Sequence, residues 1–272
     1  MEKIGLIAGN GRFPILFAQG AKANNVKVVA VGIEGETSPE IKDYVESVHW
    51  IKLAQLGKLI KCLKGEGVTR AVMAGGLTKS KMYSRFPFLK YRPDWRGISL
   101  FYKNVRDRND HTLLSAVAEE LAKDGIELES SILFVPQLLA EKGCVATREP
   151  TEREMKDIEY GWGIAKEIAR LGIGQSIVVK DQVVIAVEGI EGTDETLHRG
   201  GKLGRGGVVA IKVSREDLDL RFDVPTIGPD TVKTLKHSGV TCLAIEAGRT
   251  LVLDRDEVKH AADRAGVCII AR

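Results

Sequence analysis

The chain has 272 residues, 44% of them hydrophobic and 28% charged, and a net charge of +3. This composition is typical of a folded globular protein, and the length favours two domains of ordinary size. No apolar run is long enough to span a bilayer. The N-terminus has the pattern of a strand entering a glycine turn, without the features of a signal peptide.

The first half of the chain alternates apolar strands with helices. Pro14 suits the first turn of a helix, Asp110 suits an N-cap, and Gly125 suits a helix end. The pattern predicts strands over 3–8, 26–32, 71–74 and from 126, with helices over 13–24, 56–64 and 110–123. Strand, helix, strand in this order predicts a Rossmann-like α/β domain over residues 1–131.

Two glycine motifs follow predicted strands of this domain, Gly9-Asn10-Gly11 and Gly75-Gly76. A dinucleotide fingerprint requires a third glycine where Pro14 stands, and Glu34 follows Gly32 where a ribose-binding acid would end the second strand. The motif therefore disfavours nicotinamide binding. It remains compatible with backbone N–H groups that bind an anion at a helix N-terminus, or with a tight strand-to-helix turn.

A basic and aromatic segment spans residues 78–108. It carries nine Lys and Arg against Asp94 and Asp107, so its charge is +7 and that of the remaining chain is −4. Seven of the fifteen aromatic residues lie in it: Tyr83, Phe86, Phe88, Tyr91, Trp95, Phe101 and Tyr102. This pattern suits nucleic acid, an anionic membrane surface or a phosphorylated lipid. A solvated basic loop with a few buried aromatics is the alternative.

The second half has a different, mixed pattern. Thr151 and Glu154 form a capping box that opens a helix to about residue 171, and two β-rich runs around Lys180 predict a hairpin. Further strands are predicted over 207–213, 241–245 and 267–270, with helices over 231–238 and 255–265. The fold class predicted for the chain is α/β, with a separate mixed α/β domain over residues 132–272.

The four cysteines lie far apart in the sequence: Cys62, Cys144, Cys242 and Cys268. Their spacing favours small buried hydrophobes over a zinc site or a disulfide framework. Cysteines of this kind are typical of a reducing cytoplasm.

Glycine, threonine and carboxylate residues recur between apolar strands from Glu188 to Asp254. The motifs are 188–194, 200–201, 204–207, 221–228 and 246–250. Any one of them is compatible with a simple turn. Together they predict loops in which carboxylates and backbone N–H groups hold a divalent metal and a phosphorylated ligand.

Several motifs in this order resemble one family. They are residues 5–14, Leu53–Lys58, Met73–Gly76, Gly174-Gln175, Glu188–Asp194, Asp223–Gly228 and Glu246–Gly248. Over nearly the whole chain the sequence resembles the UDP-2,3-diacylglucosamine pyrophosphatases of the LpxI type. The resemblance implies a two-domain cytosolic enzyme that uses a divalent metal, usually Mg²⁺. It implies hydrolysis of the substrate to UMP and 2,3-diacylglucosamine 1-phosphate in lipid A biosynthesis.

The resemblance also implies that Asp223, before Val-Pro-Thr-Ile-Gly, is the essential carboxylate. We predict Asp223, Asp194 and Glu191 as metal ligands. The predicted substrate-binding residues are Gly9, Asn10, Gly11, Gly75, Gly76, Thr193, Thr226, Gly228, Glu246 and Arg249. A surface ion pair is the alternative for Glu246 and Arg249. Related chains often have a second aspartate where this one has His111, which suits the surface start of a helix.

The expected partners are a lipid-linked nucleotide and the inner-membrane surface, with no nucleic acid, and a homodimer is compatible with the sequence. The expected location is the cytoplasm, with peripheral attachment to the inner membrane. Two other functions remain open: a nucleotide- or dinucleotide-binding oxidoreductase, and a non-catalytic basic protein that binds membranes or nucleic acid through residues 78–108.

Overall fold

A computed structural model describes residues 2–77, 92–103, 110–222 and 224–272, with only the backbone of 101–103, 110 and 111. The chain divides into two compact units. Unit 1 contains Met1–Pro136 and Asp219–Asp223, and unit 2 contains Gln137–Leu218 and Val224–Arg272. Within the described ranges, no helix has the length and apolar character needed to cross a membrane.

Unit 1 is built on a parallel five-stranded sheet. Its strands are β1 (Lys3–Ala8), β2 (Lys27–Ile33), β3 (Ser47–Ile51), β4 (Arg70–Ala74) and β5 (Glu127–Glu129). Its helices are α1 (Phe13–Ala23), α2 (Leu56–Gly65), α3 (Trp95–Lys103) and α4 (Asp110–Lys123). The strand order β3-β2-β1-β4-β5, with every pair parallel, confirms the Rossmann-like prediction.

Continuous apolar runs explain why the strands of unit 1 lie at its centre. The strand β2 is buried along nearly its whole length, as a strand covered on both faces requires. Val29 and Val31 pack with Leu63 of α2 and Leu121 of α4 in one core cluster. β3 was missed by the sequence analysis because its residues are mostly only half-buried, so it lacks the apolar run that marks the other strands.

Unit 2 is built on a mixed six-stranded sheet, whose strands are β6 (Gly143–Cys144), β7 (Ser176–Lys180), β8 (Val183–Val187), β9 (Val208–Lys212), β11 (Val240–Ile245) and β13 (Cys268–Ala271). Their order across the sheet is β6-β13-β11-β9-β7-β8. Two short strands, β10 (Thr226–Ile227) and β12 (Leu251–Val252), pair separately. The helices are α5 (Glu152–Arg170), α6 (Thr193–Gly204), α7 (Pro229–His237) and α8 (Arg255–Ala265).

Local signals set the start of α5 and the hairpin that follows it. Thr151 and Glu154 form the predicted capping box, and Arg148 pairs with the buried Glu154 carboxylate at 2.9 Å. The turn between β7 and β8 uses Asp181 and Gln182, both with positive φ. Asp157 of α5 accepts hydrogen bonds from both backbone N–H groups, which offsets the cost of that turn.

The motif at residues 200–201 and the first residue of the motif 204–207 lie inside helix α6, although loops are predicted there from the sequence. Their glycines allow close packing. A Cβ at Gly200 would lie 2.6 Å from Val178, and a Cβ at Gly201 would lie 1.7 Å from the Ser238 carbonyl oxygen. These two glycines are required by helix packing, and the loop prediction for them was wrong.

The segment Asp219–Asp223 belongs to unit 1 although the chain around it belongs to unit 2. The Ser131 N–H donates to the Leu220 carbonyl at 2.7 Å, and Phe222, 4% exposed, lies in the unit 1 core. The predicted boundary after residue 131 did not include such a return of the chain.

Candidate functional site

In unit 1 the predicted glycine motifs lie where the chain reverses its direction across the sheet. From β1 the chain proceeds outward to β2 and β3, and then crosses back to β4 on the other side of β1. Gly9–Gly11 follows β1 and Gly75-Gly76 follows β4, so both motifs lie at the carboxyl ends of these two adjacent strands. Open α/β sheets bind ligands at this topological switch point.

The two motifs contact each other through their backbones. The Gly9 N–H donates to the Ala74 carbonyl, and the Asn10 N–H donates to the Gly76 carbonyl, each at 2.8 Å. A Cβ at Gly9 would lie 2.4 Å from the Gly76 oxygen, and one at Gly75 would lie 2.4 Å from the Asn10 oxygen. The structure therefore brings all five predicted residues of unit 1 together.

Two residues that sequence analysis missed complete this switch point. The Asn10 side chain donates to the Glu36 carboxylate at 3.1 Å. The buried Thr37 hydroxyl donates to the Ala8 carbonyl at 2.5 Å and accepts from the Ile33 N–H at 2.8 Å. These bonds hold the loop after β2 against the end of β1. Glu36, three residues beyond the end of β2, therefore lies beside the first glycine motif, where dinucleotide-binding proteins have the acidic residue that binds the ribose. The available signal was the pair of carboxylates, Glu34 and Glu36, after β2.

In unit 2 the polar residues lie along one edge of the central sheet. Strand register places Ser176 beside Lys212, and Lys212 beside Ile245, which precedes Glu246. On the other side of β7, the N–H of Glu188, the residue after β8, donates to the Ser176 carbonyl at 2.9 Å. The carboxyl ends of β8, β9 and β11 therefore share this edge.

Thr193 joins this edge at the first turn of α6. Its hydroxyl donates to Glu188 at 3.2 Å and accepts from Lys212 Nζ at 3.1 Å. The Ser176 hydroxyl lies 3.4 Å away. This cluster combines a cation, two hydroxyls and a helix N-terminus, which are groups suited to a phosphate, with the Glu188 carboxylate, an acceptor suited to a hydroxyl or a cation.

Glu246 is the centre of a second polar cluster on the same edge. One oxygen accepts from Lys166 Nζ at 3.0 Å, and the other accepts from the Ser214 N–H and hydroxyl at 2.9 and 2.6 Å. Arg249 lies 3.7 Å from Glu246 and donates to the Ser214 hydroxyl and to the carbonyls of Arg215 and Glu216. Glu246 and Arg249 therefore hold the segment that follows β9, residues 214–216, in place through hydrogen bonds.

Thr226 and Gly228 lie beside the short β10–β12 pairing. Thr226 opens β10 and pairs with Leu251, while Gly228 is the N-cap of α7 and donates its N–H to the Thr231 hydroxyl at 3.2 Å. The Thr226 hydroxyl donates to the Val224 carbonyl at 3.0 Å. Gly228, five residues after Asp223 in the sequence, thus provides a second helix N-terminus in unit 2.

The predicted metal ligands are only partly described. Asp223 lies outside the described residues. Glu191 pairs with Arg199 and also accepts from the Gly189 N–H at 3.1 Å. The pKa of Glu191 is lowered, first by its own backbone N–H and then by Arg199. Asp194 is exposed on the first turn of α6.

Glu191 and Asp194 do not themselves form a metal-binding arrangement. Across the residues that the structure describes, no group of three or more His, Cys, Asp or Glu side chains is arranged to hold a metal ion. Because the third predicted ligand is Asp223, metal binding stays a prediction.

Most of the basic and aromatic segment lies outside the described residues, which include its positions 92–103. There, Asp94 accepts from the Gly97 N–H at 2.9 Å and the Lys58 N–H at 3.0 Å, which fixes the start of α3. Trp95 is 80% exposed on the first turn of this helix. The prediction for His111 concerns a side chain outside the described part.

The fold and these clusters define a two-unit α/β protein with phosphate-compatible groups on the sheet edge of each unit. The family model of the LpxI N-terminal domain matches residues 3–138, and that of the LpxI C-terminal domain matches residues 141–270. The chain belongs to the LpxI family. It is 32% identical to the UDP-2,3-diacylglucosamine pyrophosphatase LpxI of Caulobacter vibrioides, over 99% of this chain and 97% of that protein.

Two other similarities are partial. The chain is 24% identical to the bifunctional purine biosynthesis protein PurH of Bacillus thuringiensis, over 54% of this chain and 25% of that protein. The biotin carboxylase subunit of a pyruvate carboxylase aligns with 69% of this chain and 36% of its own length, at 11% identity and a TM-score of 0.29. Neither similarity bears on the function of this chain.

Proposed function

We propose that the chain hydrolyses the pyrophosphate bond of UDP-2,3-diacylglucosamine to UMP and 2,3-diacylglucosamine 1-phosphate, a step of lipid A biosynthesis. The observation that carries this proposal is the similarity over nearly the full length, in both domains, to a protein named for this activity. A dinucleotide oxidoreductase is less well supported, because Pro14 occupies the place of the third fingerprint glycine.

Unit 1 is assigned the nucleotide part of the substrate. Gly9, Gly11, Gly75 and Gly76 lie at the switch point beside the start of α1, where the Gly9 N–H and the Gly76 carbonyl hold the two motifs together. Asn10 and Glu36 provide an amide and a carboxylate there. A carboxylate that accepts hydrogen bonds from ribose hydroxyls is the usual acidic component of such a crevice.

Unit 2 is assigned a phosphorylated part of the substrate. Thr193 and Thr226 contribute hydroxyls, Gly228 contributes a helix N-terminus, and Lys212 contributes a positive charge. Glu246 and Arg249 contribute to substrate binding indirectly, by holding residues 214–216 in position. Both Glu246 oxygens already accept hydrogen bonds within the protein, and Arg249 donates to the Arg215 carbonyl.

Asp223 is assigned the essential catalytic carboxylate. Hydrolysis requires a water oxygen to attack one phosphorus while the bridging oxygen leaves with the other phosphate. A carboxylate near the water can orient it and accept its proton, and the departing phosphate takes up a proton in turn. Pro225, two residues later, fixes its own φ and restricts Val224, the residue that follows Asp223 in the sequence.

A divalent metal, Mg²⁺, is proposed as the cofactor, with Asp223, Asp194 and Glu191 as its ligands. Carboxylate and phosphate oxygens are the ligands that Mg²⁺ prefers, and when bound it offsets the negative charge of the pyrophosphate. The described pair, Glu191 and Asp194, is insufficient without Asp223.

The acyl chains of the substrate require access to a membrane. We propose that the protein works in the cytoplasm and attaches peripherally to the inner membrane through the segment 78–108, and that it does not bind nucleic acid. Basic groups attract anionic headgroups, and exposed aromatic groups such as Trp95 suit the interface. A homodimer is also compatible with this proposal.

The direct test is release of UMP from purified UDP-2,3-diacylglucosamine by the full-length protein, measured by chromatography. The expected products are UMP and the diacylglucosamine 1-phosphate in equal amounts. Hydrolysis that yields UDP and a diacylated sugar, or no hydrolysis with Mg²⁺ present, would overturn the proposal. Retention of membrane binding without hydrolysis would favour the non-catalytic alternative.

A further inference from the structure

Three of the four cysteines, distant in sequence, converge at one side of the unit 2 sheet. Cys242 of β11 and Cys268 of β13 are direct partners in the parallel register, and both are buried beneath α5. Cys144 of β6 pairs antiparallel with Ile270. Residues two apart on a strand share a face, so Cys144 lies diagonally across from Cys268.

The three thiols differ in access to solvent. Cys144 is exposed, while Cys242 and Cys268 are fully buried. All three are free thiols. Of these three thiols, a reagent from solution therefore reacts first with Cys144. Cys268 reacts only with a group that the protein itself brings to it.

The environment of Cys268 lowers the pKa of its thiol. Hydrogen bonding from Cys242 lowers the pKa of Cys268, burial opposes this shift, and the nearby positive charge of Arg148 supports it. Arg148 is held in place by Glu154 and by the Thr241 carbonyl. Cys144 is exposed as a residue, but partial burial of its thiol raises the pKa of that group. The thiolate is the attacking species in disulfide exchange.

We propose that Cys144 and Cys268 form a redox-sensitive thiol pair, which a small disulfide such as oxidised glutathione converts to an internal disulfide. The Cys144 thiolate attacks the glutathione disulfide, forms a mixed disulfide and releases one glutathione thiolate. The Cys268 thiolate then attacks the Cys144 sulfur and releases the second glutathione thiolate. Both electrons leave the protein in the two reduced glutathione molecules.

The position of β6 places the two thiols on neighbouring strands. β6 has only two residues and pairs with β13 at the edge of the sheet, so Cys144 lies one strand away from Cys268 on the same face. The bond would close almost the whole of unit 2 into one loop. Constraint of a long loop in the unfolded chain raises stability.

The test treats the full-length protein with oxidised glutathione at mildly alkaline pH, blocks the remaining thiols, and identifies linked peptides by mass spectrometry. We expect a Cys144–Cys268 bond, no retained glutathione, a higher Tm, and reversal of both changes by dithiothreitol. A persistent mixed disulfide at Cys144, a bond to Cys242, or no modification would each overturn the proposal.

Two variants separate formation of the mixed disulfide from closure of the internal disulfide, and a third is a control. Cys144→Ser, at an exposed position, should abolish the internal bond and the rise in Tm. Cys268→Ala should leave Cys144 trapped with one glutathione. Cys62→Ser, in unit 1, should form the Cys144–Cys268 bond and show the same rise in Tm on oxidation as the wild type, and it is the control. If Cys268→Ala does not fold, the Cys144→Ser result and the wild-type peptide map still decide the matter.

Discussion

Glu246 accepts two hydrogen bonds from Ser214, one from the backbone N–H at 2.9 Å and one from the hydroxyl at 2.6 Å. The residues follow β11 and β9, so their contact joins the ends of two neighbouring strands. Lys166 of α5 binds the other Glu246 oxygen. One carboxylate therefore connects a helix and two strand ends at the edge that carries the candidate site.

Glu246→Ala should destabilise the protein by about 1–3 kcal/mol, because it leaves polar groups of Ser214 and Lys166 without their acceptor. Glu246→Gln should cost less, since an amide oxygen can still accept from Ser214. Urea unfolding followed by circular dichroism measures both. Glu159→Gln, at an exposed position on α5, is the control and should change little. An unaltered midpoint for Glu246→Ala would contradict this role.

The same contact predicts a dependence on pH. Burial raises the pKa of Glu246, but the Ser214 hydrogen bonds and Lys166 outweigh it and hold the pKa below its ordinary value of 4.5. A depressed folded-state pKa gives stability that is present above the unfolded value and lost as pH falls through the folded one. The difference in unfolding free energy between wild type and Glu246→Gln should therefore shrink below about pH 4.5. A difference that grows there would refute this assignment.

Asp223→Ala should abolish UMP release while leaving the unfolding midpoint nearly unchanged. In the sequence Asp223 precedes the proline- and glycine-containing run 224–228, and a charged carboxylate is not expected to contribute to core packing. Asp230→Ala is the matched control, because Asp230 is an exposed aspartate of α7 paired with Lys233. Turnover by Asp223→Ala above a few per cent of the wild-type rate would remove Asp223 from the catalytic role.

The sequence was informative where one local rule decides the structure. The Thr151 capping box, the hairpin at Lys180 and the parallel Rossmann-like sheet follow from short patterns and appear as predicted. Contacts between distant residues were not predictable in this way. Glu36 reaches Asn10 only because Thr37 binds the end of β1, and Gly200 has a packing role only because Val178 lies opposite.

Removal of divalent cations should abolish hydrolysis. The candidate motifs are rich in carboxylates and poor in paired Cys and His, which favours Mg²⁺ over Zn²⁺. The measurement is UMP release after treatment with a chelator and again after addition of excess Mg²⁺ or Zn²⁺. We expect Mg²⁺ to restore the rate and Zn²⁺ to restore little. A rate that the chelator leaves untouched would exclude the metal.

Glu36→Gln should weaken UMP binding by about tenfold, equivalent to about 1.4 kcal/mol, because the charged acceptor for ribose hydroxyls is lost. The amide can still accept from Asn10, so the loop should stay in place. Calorimetric titration with UMP and with deoxy-UMP measures the effect, which should be smaller for the deoxy ligand. Glu34→Gln is the control, as Glu34 is exposed two residues earlier. Equal affinities for wild type and Glu36→Gln would show that Glu36 only supports Asn10.

Reversal of charge at Lys79, Lys81 and Arg85 together should weaken binding to anionic vesicles and raise KM for substrate in a bilayer. Each basic residue near such a surface contributes about 1 kcal/mol, and salt should reduce the effect. Turnover of a short-chain substrate should change much less. Reversal at the exposed Lys61, Lys142 and Lys156 controls for net charge. An equal loss of activity on the bilayer and the short-chain substrate would indicate that these residues act directly on the headgroup of the substrate. No loss of activity on either substrate would indicate that the segment is a solvated loop.

The packing of Phe222 in the unit 1 core has a consequence for how the protein folds while it is being synthesised. Phe222 follows most of unit 2 along the chain, yet it packs with residues of the first half. During translation unit 1 therefore lacks one of its core side chains until most of the protein has left the ribosome. A fragment ending at Pro136 would leave the place of Phe222 empty, so an excised N-terminal unit should be less stable than the same residues in the whole chain.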